Sequence, residues 1–244
     1  MKKFEDYSEE HINFHEPGIV PQLIKKGIYI SKKNKKKISF VDLGCGGANV
    51  LTQIVKLGLL NIGEVLGIEP SAIRRKRTKE EVKIMEGFAE KVPCKNNSLD
   101  MLMSSQVIEH VGDDGPMLDE VRRVLKKDGI FYVSSVVKKP WGFWIYWKEG
   151  GFVSDPTHYR EYKSQEEFEN LIKNRGFEVI GRNIELFKHP IVDLFIRLLI
   201  KLKFVKPANF VKIYENHKWL FWIRNIFRLP MVGFYNVEVL AKKR

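Results

Sequence analysis

Cysteine is nearly missing from these 244 residues: only Cys45 and Cys94 occur. Two thiols cannot build a disulfide framework or a cysteine-based zinc cluster, and their scarcity points to a reducing, cytoplasmic compartment. Long apolar runs are missing too. The richest, Pro190 to Val205, is broken by Asp193, Arg197, Lys201 and Lys203, so no stretch reaches the roughly 18 uncharged residues expected of a spanning helix. The N-terminal MKKFEDYSEEHINF turns acidic and polar where a secretory leader would carry its apolar core, so no leader is expected. Internal repeats are absent. Acids are few: 30 Asp and Glu against 42 Lys and Arg leave a net charge of +12. That excess calls for a nucleic acid, an anionic membrane surface or an acidic substrate. At 44% hydrophobic the chain can bury a sizeable core, which excludes disorder as its main state.

What is present is an alternation of short Val- and Ile-rich runs with amphipathic helical patterns, the signature of strand-helix units around a parallel sheet. Strands are predicted at Ile38–Leu43, Glu64–Ile68, Val82–Met85, Asp100–Ser105, Gly129–Val136, Phe177–Asn183 and Gly233–Leu240. Helices are predicted near Asn49–Leu57, Ser71–Lys79, Pro116–Lys126 and Ser164–Asn174; in the last, Ser164 and Glu167 form a capping box and Arg175-Gly176 closes it. The lysine-rich stretch Lys25–Lys37 reads as an exposed linker. Arg74–Arg77 reads as a solvated helix face, because no aromatic residues interleave it to stack on bases.

The segment Val41-Asp42-Leu43-Gly44-Cys45-Gly46-Gly47-Ala48-Asn49 is a strand ending in an acid, then a glycine turn, then a helix. Glycine suits a sharp turn that a ligand must approach closely. Asn49 stands where a dinucleotide fold would need its third glycine, and no Gly-Lys-Ser/Thr follows, so nicotinamide is disfavoured and a P-loop excluded. Glu69, ending the second strand, is suited to accept hydrogen bonds from a ribose diol. Together the turn and the acid imply a nucleoside-bearing cofactor.

VDLGCGGA, GIEPS, EGFAEKVPCKNNSLD, SSQVIEHV and EVRRVLKKDGIFYVSS, in that order from Val41 to Ser135, resemble the successive motifs of class I S-adenosylmethionine-dependent methyltransferases. They are most similar to the group that includes the ubiquinone/menaquinone-biosynthesis-type enzymes. The resemblance implies an α/β, Rossmann-like seven-stranded sheet, mostly parallel with an antiparallel last strand and helices on both faces. It implies S-adenosylmethionine as cofactor, S-adenosylhomocysteine as product, and no metal. Asp42, Gly44, Cys45 and Gly46 would lie at the methionine part, Glu69 at the ribose hydroxyls, Phe88, Ala89 and Glu90 around adenine, and Ser105 and Gln106 beneath the methionine moiety. Ala48 replaces a customary glycine, and Phe88 stands where many relatives have Asp, so ring packing would replace an amino contact.

In-line methyl transfer asks the protein to position the acceptor and exclude water, and a hydroxyl or acidic carbon also needs a base. Six histidines are available. His110, after Glu109, is read either as packing or as catalysis. His158 lies in DPTHYREY, resembling the His-x-Arg-x-Tyr stretch of many such enzymes, which would bring His158 to catalysis and Tyr159, Arg160 and Tyr162 to the substrate. His11 and His15 are expected at the surface. The aromatic run Trp141 to Trp147 reads as a substrate lid, with Trp141 and Trp144 as contacts, or as a packed plug.

Between Phe187 and Pro230 nine basic residues face two acids, giving +7, while residues 41–186 carry only −1. Nine aromatics share this insertion. Asp193, Arg197 and Lys201 form one narrow stripe at helical spacing, and apolar residues fill the rest. Such a helix must cover the domain as a cap on the substrate pocket, a partner copy in a homodimer, or an anionic membrane surface. Nucleic acid fits poorly, because the apolar content exceeds what phosphate tracking needs and no Asn/Asp-Pro-Pro-Tyr/Phe motif ends the fourth strand. The expectation is an N-terminal helical arm and basic linker over 1–37 and a methyltransferase domain over 38–244 with an amphipathic helical insertion at 187–230. It would act on a small-molecule or lipid-linked acceptor of quinone, polyprenyl or glycolipid type, in the cytoplasm or peripherally at the inner membrane face. A nonenzymatic membrane-surface or partner-binding module and a nucleic-acid methyltransferase are the alternatives.

Overall fold

The computed structural model describes residues 20–76, 82–206, 213–214 and 216–244. Phe40–Leu43 (β1), Val65–Ile68 (β2), Ile84–Met85 (β3), Leu99–Ser105 (β4), Leu125–Lys138 (β5), Phe177–Pro190 (β8) and Arg228–Lys243 (β9) form one seven-stranded sheet. Its order is β3-β2-β1-β4-β5-β9-β8. β1 through β5 pair in parallel, and β9 lies antiparallel to both β5 and β8. The predicted Rossmann-like sheet with an antiparallel last strand is therefore what the chain forms.

Alternation along the strands splits the core into two layers. Phe40, Met101, Met103, Ile130 and Tyr132 face one way and pack with Ile24 and Ile28 of Gln22–Lys32 (α1) and Leu51 and Ile54 of Asn49–Lys56 (α2). Val41, Leu43, Leu102, Phe131 and Val133 face the other way, against Met117 and Val121 of Asp114–Val124 (α4) and Phe168 and Ile172 of Gln165–Asn174 (α5). A short helix, Ala72–Lys76 (α3), follows β2. Ser164 caps α5 as predicted, its hydroxyl accepting from the Glu167 amide at 3.0 Å.

Three local expectations are corrected. The first concerns Lys25–Lys37, whose first part is helix α1 and not a linker. Ile24, Ile28 and Ser31 recur on one buried face, and at Gly27 a Cβ would stand 2.6 Å from Met101 Cε, so glycine lets the helix settle on the sheet. Lys33–Lys37 are exposed, and Lys35 together with Lys126 pairs with buried Asp100. Second, the aromatic run contributes a hairpin, Tyr146–Lys148 (β6) against Gly151–Val153 (β7). Its turn, Glu149-Gly150, takes positive φ at both residues (50° and 84°), as tight hairpins require. Third, β8 continues past Asn183 to Pro190 and β9 begins at Arg228, and these extensions pair with each other. The insertion thus stands on a two-stranded stalk and carries Ile191–Lys201 (α6) and Lys218–Ile226 (α7).

Candidate active site

The carboxyl ends of β1, β2, β4 and β5 converge where an open α/β sheet presents its ligand crevice. A cavity of about 1080 Å³ opens there and runs from the glycine turn to the underside of the α6–α7 cap. Gly44 (φ 78°) lies at its start, and a Cβ there would collide with Val107. Gly46 (φ 56°) has open space where a Cβ would be. Ala48 adopts the same left-handed region at the start of α2. Glu69 is buried, and its two carboxylate oxygens accept from the Gly46 and Ser71 amides, both at 2.9 Å. It therefore ties the β1 turn to the β2 turn.

Of the residues expected at a cofactor, Gly44, Glu69, Phe88, Ala89, Glu90, Ser105 and Gln106 line this cavity. Asp42, Cys45 and Gly46 do not reach its wall. Asp42 lies buried behind the turn, where burial and then the Glu69 charge push its carboxyl up to about 8. Burial likewise pushes the Cys45 thiol up, so it is a packed thiol and no nucleophile. Ser105 and Ser134 share a hydroxyl hydrogen bond of 2.9 Å, and Gln106 donates to the Asn236 side chain at 2.9 Å, which fixes the floor between β4, β5 and β9.

His110 and His158 come together on the opposite wall, with ring centroids 4.7 Å apart in an edge-on arrangement. His158 is buried, and its Nδ1 lies 3.1 Å from Ser154 Oγ and 3.2 Å from Glu161 Oε1. His110 Nδ1 lies 3.2 Å from the Thr157 hydroxyl, which donates to Asp155 at 2.6 Å. Glu109 is fully buried beside them: one oxygen accepts from Ser135 at 2.9 Å and the other has no partner. Burial raises the Glu109 carboxyl to about 6, against the opposing charge of His158. Burial by itself would lower the His158 imidazole, but the Glu161 hydrogen bond and the Glu109, Asp155 and Glu161 charges outweigh it and leave the imidazole raised. Glu109, His110 and His158 bring their ligand atoms within 4.8 Å of one another, which is also the donor set of a divalent metal.

The five residues expected to touch substrate are placed elsewhere, and none lines the cavity. Trp144 is packed with Met231 and Phe234, which makes it the plug of the two readings. Trp141 points outward. Tyr159 is exposed beneath Lys148. Arg160 pairs with Asp114 at 3.0 Å and donates to the Gly112 carbonyl, while Tyr162 packs on Phe168 and donates to Asp114 at 3.3 Å. The cause is the backbone: Tyr159 N donates to Glu109 O and Tyr162 N to Val136 O, so residues 160 and 162 face α4 and anchor the loop that holds His158. His11 and His15 lie outside the described residues.

A substrate-pocket cap was one of the readings left open for 187–230, with none of its residues singled out as lining. Asp193 and Arg197 of α6, Arg224 of α7 and Arg228 of β9 line the far end of the cavity. Arg224 donates to Asp193 through Nε at 2.8 Å and Nη2 at 2.9 Å, and Tyr214 donates to the same carboxylate at 2.6 Å. The i, i+4 stripe Asp193-Arg197 was the available signal, but spacing does not say which way a stripe faces.

A glycine turn and an acid at adjacent strand ends, a half-exposed ring beside them, and one buried and one half-buried imidazole across the cavity make a site suited to a nucleoside-bearing cofactor. Comparison with known proteins gives the family. A profile for a methyltransferase domain matches residues 41–133. The chain is 30% identical over 187 residues to the ubiquinone/menaquinone biosynthesis C-methyltransferase UbiE of Campylobacter jejuni, covering 66% of this chain and 79% of that one. It is 24% identical to the ubiquinone biosynthesis O-methyltransferase of Bartonella quintana, covering 65% and 67%. Its fold matches that of phosphoethanolamine N-methyltransferase 2 of Haemonchus contortus in complex with S-adenosyl-L-methionine, with a TM-score of 0.54, 18% identity and coverage of 98% and 56%. The chain belongs to the class I S-adenosylmethionine-dependent methyltransferases.

Proposed function

We propose that this methyltransferase alkylates a hydroxyl of a small-molecule or lipid-linked acceptor, with His158 as the general base. S-adenosylmethionine supplies an electrophilic methyl group on a sulfonium. The residues present fit that cofactor: Gly44 brings the glycine turn to the cavity's edge, the Glu69 oxygens keep a lone pair each for a ribose diol, and the half-exposed Phe88 ring offers a face to adenine.

The observation that carries the acceptor chemistry is the buried His158 on the cavity wall with Nδ1 held by Glu161. Donation of the Nδ1 proton to Glu161 leaves the Nε2 lone pair as the base and fixes the ring's orientation. When His158 takes a proton from the acceptor hydroxyl, the resulting imidazolium is stabilised by Glu161 and Glu109. An amine would not need this assembly; a hydroxyl does. The names of the two relatives, which describe C- and O-methylation in ubiquinone biosynthesis, agree with an acceptor that must lose a proton. The cap covers the cavity's far end.

The test is incubation of cell extracts, and of their lipid fraction separately, with methyl-labelled cofactor, followed by mass spectrometry. The expected result is label on an oxygen of an acceptor, lost with His158→Ala while S-adenosylhomocysteine binding persists. Label on nitrogen or carbon, or a His158→Ala variant as active as the parent, overturns the proposal. Activity is expected to survive chelation by EDTA; loss that returns on adding a divalent metal would reassign Glu109, His110 and His158 to a cation.

A further inference from the structure

The α6–α7 cap is built inside out for a protein in water. One ion pair points inward: Asp193 and Arg224 are each 5% exposed and pair with one another. Its large apolar side chains point outward: Phe195 is 60% exposed, Phe204 77%, Trp219 60% and Trp222 67%, with Leu198, Leu202, Ile226 and Phe227 exposed among them. A surface helix ordinarily shows the reverse polarity. Exposed apolar helix faces of this kind mark an interaction surface.

From this arrangement we infer that the outward face of the cap docks on an anionic lipid surface. The charge pattern selects that occupant. Lys201, Lys203 and Lys206 stand exposed beside the apolar side chains, and Asp193, the one acid among the described residues of 187–230, is turned inward. Among the described residues the docking face therefore carries cations alone. A second copy packing two-fold on the same face would set that cationic row against itself, whereas lipid phosphates complement it. Tryptophan beside lysine is the composition of the headgroup layer, where rings lie half immersed and cations meet phosphate. Depth is limited by length: α6 has 11 residues and α7 has 9. At 1.5 Å per residue these reach about 17 and 14 Å, short of the roughly 30 Å hydrocarbon core. Among the described residues no helix is long and apolar enough to cross a membrane. The cap thus lies in the interface plane with its inner side over the cavity.

The experiment is co-sedimentation of the full chain with vesicles of phosphatidylcholine alone and of phosphatidylcholine mixed with phosphatidylglycerol, at low and high salt. The expected result is sedimentation with the anionic vesicles, weakened by salt, and roughly tenfold weaker for the double variant Leu198→Ser/Trp222→Ser, which removes two interfacial side chains. Unchanged S-adenosylhomocysteine binding by that variant shows that it folds. No sedimentation with either vesicle, or equal sedimentation of parent and variant, overturns the inference. A lipid-free dimer in light scattering that the same variant dissolves also overturns it, since a second copy would then cover the face.

Discussion

His158 is the residue whose environment makes the sharpest statement about chemistry. Its imidazole is raised above 6.5 by Glu161 and Glu109 despite burial. A base works only when deprotonated, so turnover should rise with pH through an apparent pKa above 6.5. Replacing Glu161 with Gln removes a negative partner and should move that rising limb to lower pH. A pH profile of kcat/KM for the parent and Glu161→Gln checks both the limb and the sign; a limb that stays in place would deny Glu161 its role. His158→Ala should reduce turnover about 10²–10⁴-fold, the usual worth of a positioned base. Asp42 shows how much a sequence can hide. Its place before the glycine turn was legible, but its full burial, which lifts it to about 8, belongs to the packing around the turn.

At the scale of elements, the buried Asp193–Arg224 pair ties α6 to α7 within the cap. Arg224→Ala leaves the Asp193 carboxylate buried with only Tyr214 donating, and such a loss costs about 3–5 kcal/mol. The stalk confines the damage, so hydrogen exchange should quicken across 191–201 and 218–226 and stay slow in β1, β4 and β5. Unchanged exchange in α6 would show that the pair does not hold the cap. Asp193→Leu combined with Arg224→Met should recover much of the protection, because apolar side chains of similar volume need no partner. The sheet strands and helices α2, α4 and α5 were legible because their apolar periodicity agrees with their burial. The α1 helix was not: its lysines suggested a linker, while the signal that mattered was Ile24, Gly27 and Ile28 meeting Met101 and Leu240, residues distant in sequence. The cap's stripe was read at the correct spacing, but its direction depends on a stalk formed by β8 and β9, which local pattern did not predict past Asn183.

For the whole molecule, the net charge of +12 resolves into a nearly neutral stretch over 41–186 and basic flanks, of which the apolar 187–230 cap is the strongest at +7. The glycine turn and Glu69 were readable because each sits at a strand end whose position the sequence itself marks. The substrate side was not, because Tyr159, Arg160 and Tyr162 are turned away from the cavity by backbone hydrogen bonds to β5 and to the loop after β4. Methyl transfer by this protein depends on the cavity accepting the cofactor at the Gly44–Glu69 edge. Calorimetric titration of S-adenosylhomocysteine into the parent and Glu69→Gln tests this most directly. One equivalent should bind to the parent, and the variant should bind about tenfold or more weakly, since a hydrogen bond to a charged group contributes about 1.5–3 kcal/mol. Absence of binding to the parent, or equal affinity for a folded Glu69→Gln, would contradict the assignment of this cavity.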